Sequence, residues 1–402
     1  MVKLFEIFLK STLLNLKMFK SSKKEKIIYL DHNATTPCFP EVINTMLPFF
    51  VERSANPSSP HYLGRESAYA LEKAREMVAK FINASPEEII FNSGGTEGNN
   101  HAITKGIEIR GKTEIICSEI EHSSVLSICK NLQNKNIKVT YIPCDKDGIV
   151  RTELLAKIAS DNTSLISVMF ANNETGAIQP VREIADIARK KGIIFHCDAV
   201  QAAGKVKIDV KELGVDLLTL SGHKFYGPKG VGVLYIRKGI KLPPLLFGGG
   251  QERRLRPGTE NIPAIIGLAK ACELAESKLT DFQEHCLKLR NLLIGELKQI
   301  SGIRINTPLE QSVCNTLNIS FKDVNSEALV TRLDIKGICV SSASACAGLT
   351  KFSHVLKAMN LPEEYLYSSI RVSLGFSNTV EDIFKTASII RETVEEIRKL
   401  RL

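Results

Sequence analysis

Val215-Asp216-Leu217-Leu218-Thr219-Leu220, running into Ser221-Gly222-His223-Lys224-Phe225-Tyr226-Gly227-Pro228-Lys229-Gly230, reads as a buried strand that stops at a Gly/Pro turn. Lys224 is thereby presented at a strand end. Taken alone, a lysine in a glycine-flanked turn is ordinarily a solvated charge. Its meaning changes with Ile193-Ile194-Phe195-His196-Cys197-Asp198 upstream, a second apolar run that delivers a carboxylate from its C-terminal end.

Working outward, short apolar runs alternate with helical patterns from Pro40 to about Gly239: Ile89–Phe91, Glu114–Cys117, Lys138–Ile142 and Leu165–Phe170 precede the two runs above. Such alternation predicts an α/β fold on a mostly parallel sheet. Ligands of such sheets gather at the carboxyl ends of the strands, where the polar motifs of this chain also fall. Ser93-Gly94-Gly95-Thr96-Glu97-Gly98 follows a strand and opens a helix, a setting in which backbone N–H groups and the Thr96 hydroxyl can hold a phosphate. A lysine and an aspartate at neighbouring strand ends suit pyridoxal 5'-phosphate (PLP). The amine reacts with the cofactor's aldehyde, and the carboxylate pairs with its protonated ring nitrogen.

After the Gly248-Gly249-Gly250 loop, a long helical stretch is predicted from Thr259 to about Ile300. Beyond it come strands at Ile319–Phe321 and Ile370–Leu374 and helices at Ser326–Leu333 and Asp382–Leu400, a smaller α+β unit. The expected division is a basic amphipathic extension (1–26), a large domain (38–270) and a small domain (27–37 with 271–402).

The 402 residues are 44% hydrophobic and 24% charged, an ordinary globular composition. The net charge of +9 is concentrated at one end: seven lysines against Glu6 and Glu25 give residues 1–26 a charge of +5. What remains is too little for a nucleic-acid groove. In that extension Lys3, Lys10 and Lys17 recur among Leu4, Phe5, Ile7, Phe8, Leu13, Leu14 and Leu16, an amphipathic helix pattern open to a targeting or membrane-surface role. The lack of arginine there and Met18 as an internal start leave a disordered or non-native leader equally open. No run approaches the roughly 20 apolar residues of a membrane span. Ten cysteines without a Cys-x-x-Cys pair fit a reducing compartment, and the expected location is the cytoplasm. Cys314 and Cys339, flanked by apolar sequence, are expected in the core. Strand alternation points Cys197 away from the side of Asp198.

Tyr29-Leu30-Asp31-His32-Asn33-Ala34-Thr35-Thr36-Pro37, Asn172-Asn173-Glu174-Thr175-Gly176, Asp198-Ala199-Val200-Gln201, the Ser-Gly-His-Lys run and Ser342-Ala343-Ser344-Ala345-Cys346 together resemble the cysteine desulfurases, class V enzymes of the PLP-dependent aminotransferase fold type I. The resemblance runs from about Ile27 to the C-terminus. It implies that Lys224 is the lysine bound to the cofactor, that Asp198 partners the pyridine nitrogen, and that Gln201 and Asn173 reach the phenolic oxygen. It implies further that His122 stacks on the ring and takes part in proton transfer, and that Gly95, Thr96, Ser221 and His223 hold the phosphate. Thr259 would reach the phosphate of a neighbouring subunit in a homodimer.

By spacing alone, Arg371 inside a β-branched strand needs either a structural ion pair or a substrate carboxylate. The resemblance favours the carboxylate of L-cysteine, with Asn173 beside it. Cys346, in the small-residue stretch Ser341–Thr350, is the reactive thiol that would take sulfur as a persulfide and hand it to an iron–sulfur scaffold or another sulfur-acceptor protein. No resident metal is implied; Cys346 alone could ligate an iron–sulfur cluster in passing. The chain departs from the long-loop subclass by about one residue between Cys346 and Ser353, and by Phe352 where proline is usual. The Arg-x-Gly-x-His-Cys setting of the short-loop subclass is absent. Alternatives are a selenocysteine lyase or another class V enzyme, which Cys346 discriminates, and a catalytically silent scaffold, against which Lys224 and Cys346 both speak.

Overall fold

A computed structural model of the protein describes residues 26–342 and 352–400; the expected extension before Lys26 and the expected nucleophile Cys346 lie outside the described residues. Its centre is a seven-stranded sheet in the order Ile89–Asn92, Gly232–Ile236, Leu217–Ser221, Ile194–Asp198, Thr163–Ser167, Glu114–Ser118, Lys138–Ile142. Pairing is parallel from Leu217–Ser221 outward to Lys138–Ile142 and antiparallel on both sides of Gly232–Ile236. Every strand except Gly232–Ile236 therefore points the same way.

Apart from the partly exposed edge strand Lys138–Ile142, these strands are buried along their whole length because both faces are covered. Ile116, Ile166, Phe195 and Leu218 face one core with the helices Tyr62–Phe81, Val181–Lys190 and Ile262–Ser277. Ile115, Leu165, Ile194 and Leu217 face the other, with Ile103 and Ile107 of the helix Gly95–Arg110 and Ile128 of Ser123–Gln133. Cys197 belongs to the first core, turned away from Asp198 as alternation requires.

A second, four-stranded antiparallel sheet has the order Ser341–Ser342, Ser369–Ser373, Thr316–Phe321, Ile303–Ile305. It packs through Leu317, Ile319, Ile370 and Val372 on the helices Leu279–Leu297, Ser326–Ile335 and Val380–Lys399. The chain's early segment joins this part: Ile28–Tyr29 pairs in parallel with Ile338–Cys339, and Asp31 bridges to Ser373.

Four local readings need correction. The long helix expected from Thr259 is two helices, Ile262–Ser277 and Leu279–Leu297, parted at Lys278. The first starts where Asn261 Oδ1 accepts from the Ala264 N–H; near its end the Ser277 hydroxyl donates back to the Leu274 carbonyl, a competitor of the helical ladder. The strand expected through Phe170 stops at Ser167, after which only single bonds such as Phe170 N–H to Asp198 O tie the chain to its neighbour. The antiparallel strand Gly232–Ile236 was not foreseen, since a run so short and apolar carries no sign of its direction. Cys339 is half-buried rather than in the core, because it sits in a two-residue strand at the edge; Cys314 is buried as expected.

Close approach of two turns demands glycine at two points. Gly94 has φ of 145°, a conformation that side chains disfavour, and a Cβ on Gly232 would lie 2.6 Å from Gly94 Cα and 2.6 Å from Leu220 O. Gly232→Ala is expected to destabilise the protein by about 1–3 kcal/mol, read as a lowered urea midpoint at unchanged slope, because backbone on both sides must move.

Candidate active site

Since all strands but one share a direction, the residues that follow Asn92, Ser118, Ser167, Asp198 and Ser221 come out at one edge of the sheet. There they enclose a cavity of about 340 Å³ lined by Gly95, Thr96, His122, Asn173, Asp198, Gln201, Ser221, His223, Lys224 and Arg371, among others. Of the residues singled out from the sequence and described, Thr259 alone is not brought there; it is exposed beyond the Gly248–Gly250 loop. A larger hollow of about 390 Å³ near Arg75 and Glu252 is a poor rival, because its charges are already spent on a bidentate ion pair with N···O of 2.7 and 2.8 Å.

Lys224 Nζ donates to the main-chain oxygens of Asn33 and Ala34, both at 2.8 Å. These carbonyls belong to the segment that leaves the second sheet's edge and crosses to the first. Asp198 accepts from Asn99 Nδ2 at 2.7 Å and from the Val200 N–H at 3.0 Å, so the strand end holds a buried carboxylate with fixed orientation. The same Asn99 amide donates to Ser124 Oγ at 2.9 Å, and Ser124 lies 2.8 Å from His122 Nδ1. Because the Ser124 backbone N–H also donates to Nδ1, that nitrogen accepts and the imidazole carries its proton on Nε2. Burial, with the Lys224 and His354 charges against it and Asp198 in its favour, holds His122 below the ordinary histidine value.

At the phosphate-type turn, Gly94 leads into the sixteen-residue helix Gly95–Arg110, whose free N–H groups face the cavity side with the Thr96 and Ser221 hydroxyls. His223 completes this corner, its Nδ1 3.1 Å from Thr35 Oγ1; burial and the charges of Lys224 and Lys229 lower it to about 4. At the opposite wall Arg371 is buried in its strand. It donates from Nη2 to Asp31 Oδ1 at 2.8 Å and from Nη1 to Asn173 O at 3.0 Å, while its buried Nε has no partner among the described residues. Of the two sequence readings of Arg371, the structural ion pair is present, and the residue also lines the cavity. Ser341, which lines the same wall, donates to the other Asp31 oxygen at 3.2 Å.

Sequence reasoning missed Asn99, Ser124, Asp31, Asn33 and Lys205. A signal existed for two of them: Asn99 falls one helical turn after Gly95, and Lys205 one turn-length after Gln201. Asn33 and Asp31 were visible in a motif, but their partners Lys224 and Arg371 lie 191 and 340 residues away.

Residues 28–385 match the family described as aminotransferase class-V. A cysteine desulfurase IscS of Methanosarcina thermophila is 46% identical over 383 residues, 94% of this chain and 95% of the relative. A solved NifS-like protein superposes with a TM-score of 0.88 at 41% identity, over 92% of this chain and 100% of that one. SspA, solved in complex with cysteine, superposes with a TM-score of 0.76 at 34% identity, over 87% of this chain and 99% of SspA.

Nitrogen-15 NMR titration of labelled histidines is expected to find His223 neutral down to about pH 4 and His122 titrating below the value of a free imidazole. Protonation of His223 at the ordinary value would mean that the corner is wet and the Lys224 charge screened.

Proposed function

We propose, for a chain that belongs to the class-V aminotransferase family and is a cysteine desulfurase, that the cavity at the sheet edge holds pyridoxal 5'-phosphate and that Cys346 takes the sulfur of L-cysteine as a persulfide. The observation that carries the reading is the joint placement of Lys224, Asp198 and the N-terminus of the helix Gly95–Arg110 around one cavity.

The donor set fits the cofactor group by group. Asp198 has one oxygen on Asn99 and one on a backbone N–H, so its carboxylate is held in the orientation that a cationic ring nitrogen would need. Gly95, Thr96, Ser221 and His223 supply N–H and hydroxyl donors for a phosphate. A Cβ on Gly95 would lie 2.9 Å from Val200 Cγ2, so the turn packs against Val200, two residues after Asp198, with no room to spare. His122 offers a ring face, and Gln201 and Asn173 offer amides for the phenolic oxygen. When bound, the cofactor supplies an aldehyde for amines and a ring that accepts the electrons of a broken Cα–H bond.

The chain's own residues then divide the work. Arg371, which lines the cavity, takes the substrate carboxylate while Asp31 keeps the guanidinium oriented. Lys224 Nζ, released from the Asn33 and Ala34 carbonyls, removes the Cα proton and later returns one. His122, neutral with its proton on Nε2, relays protons at the cavity wall. The Cys346 thiolate attacks the substrate sulfur: an S–S bond forms, the Cβ–S bond breaks with its electron pair going to carbon, and that carbon is protonated. Net, one thiol and one L-cysteine give one persulfide and one L-alanine. Cys346 follows the lining residue Ser341 by five residues, at most about 18 Å of chain.

Around this site we place a large domain (38–270) and a small one (27–37 with 271–402), a homodimer in which Thr259 extends toward the neighbouring subunit, and a sulfur acceptor such as an iron–sulfur scaffold protein. Exposed Thr259 and the pairing of Ile28–Tyr29 with Ile338–Cys339 support these assignments. No helix among the described residues is long and apolar enough to cross a membrane. The free cysteines among the described residues support a reducing, cytoplasmic setting.

The test is to assay alanine and sulfide formation from L-cysteine with a thiol reductant, alongside the visible spectrum. Cys346→Ala is expected to keep the chromophore and lose at least about a hundredfold in turnover; Lys224→Ala is expected to lose the lysine-linked band and turnover together. A Cys346→Ala protein as active as wild type would refute the persulfide step.

A further inference from the structure

Lys205 is 3% exposed, yet among the described residues no carboxylate pairs with it. Its Nζ donates to two neutral amide oxygens, Gln201 Oε1 at 2.6 Å and Asn33 Oδ1 at 2.9 Å. Burial, with the charges of Lys224 and Arg371 nearby, pushes its ammonium down to about 7. A buried cation without an anion costs stability, and an apolar side chain of the same length would fill the space at less cost. Something other than packing therefore accounts for a lysine here.

Its geometry says what. The ammonium, the form that Lys205 takes below about pH 7, only donates, so it compels each amide to turn its oxygen inward and its NH₂ group outward. For Gln201 that orientation sends Nε2 to the Asn33 main-chain oxygen at 2.9 Å, the same carbonyl that holds Lys224 Nζ. It leaves Gln201, which lines the cavity, with a second N–H to give. For Asn33 it sends Nδ2 to Thr316 Oγ1 at 2.8 Å and to Asn173 O at 3.3 Å, while Asn315 Nδ2 supports the oxygen at 3.2 Å. One buried charge thus sets the polarity of the amides behind the Lys224 wall.

We propose that Lys205 is a positioning residue of the cofactor site, locking the Gln201 amide with its N–H donors toward the cavity and placing a positive charge behind them, so that Gln201 can only donate to an anionic ring oxygen. The inference rests on the reading of the cavity as a pyridoxal phosphate site. A flipped Gln201 would offer its carbonyl oxygen to that anion and repel it, and Lys205 removes that alternative.

Wild type, Lys205→Met and Lys205→Gln, each stripped of cofactor, are to be titrated with pyridoxal 5'-phosphate. Three readouts are followed: the dissociation constant, the pH midpoint of the bound visible band, and the melting temperature of the cofactor-free protein. Lys205→Met is expected to weaken binding about tenfold, equivalent to about 1.4 kcal/mol. Loss of a donor and of a positive charge makes a proton easier to hold, so the band's midpoint should rise by about one pH unit. The cofactor-free melting temperature should be no lower than that of wild type. Lys205→Gln, which keeps an N–H but no charge, should raise the midpoint as well. Unchanged affinity and midpoint in folded variants would overturn the proposal. So would variants that melt lower or fail to fold with no midpoint shift, since a structural tie predicts just that. A wild type that takes up no cofactor would instead refute the reading of the cavity, and the inference with it.

Discussion

Shared strand direction is the constraint on which everything else in this structure depends. Parallel pairing from Leu217–Ser221 to Lys138–Ile142 requires a crossover helix for every return, and each crossover delivers a loop to the same edge. Residues as far apart in sequence as Thr96 and Lys224 then meet around one cavity without any long-range recognition beyond the ladder itself. The apolar faces of the strands hold the helices in place, so the edge is rigid while its loops carry chemistry.

The segment from Asp31 to Thr36 runs from the second sheet, where Asp31 bridges to Ser373, to the turn that carries Lys224, where Thr36 bonds to His223. Asn33 N–H donates to Ser373 Oγ in the antiparallel sheet, whereas the Thr36 N–H donates to His223 O beside Lys224. Its carbonyls hold Lys224 and Gln201, and its carboxylate holds Arg371. A short strap thus links the lysine, the amide and the arginine through groups that cannot shift independently.

Buried ionisable groups also lie behind the cavity. Glu121 accepts from Ser118 Oγ and the Met169 N–H and is pushed up to about 8 by burial; Glu174 accepts from Ser353 Oγ and is pushed up to about 7. Together with Lys205 they are groups of altered proton affinity buried behind the cavity, Glu121 bonded to Met169, Lys205 to Gln201, and Glu174 next in sequence to Asn173. Such groups weaken a fold that could be held by apolar contacts alone, which is what a site built for proton transfer requires.

The amino-acid sequence by itself determined the α/β class, the strand ends that carry Asp198 and Lys224, and the glycine turn before the helix Gly95–Arg110, because period, punctuation and turn chemistry are local. It also determined that Cys197 turns from Asp198, since alternation is a property of any strand. Only the tertiary structure decided that Arg371 is shared between Asp31 and the cavity, that Asn99 orients Asp198, and that Lys205 is buried behind Gln201. Each of those depends on a partner that the chain brings near only after the sheets have formed, and a lysine or asparagine carries no mark in the sequence of whether it will meet water or a carbonyl. The break at Lys278 and the reversed strand Gly232–Ile236 escaped for a related reason. A serine that bonds back to its own helix, and a short apolar run that could pair in either direction, are settled by their neighbours in space.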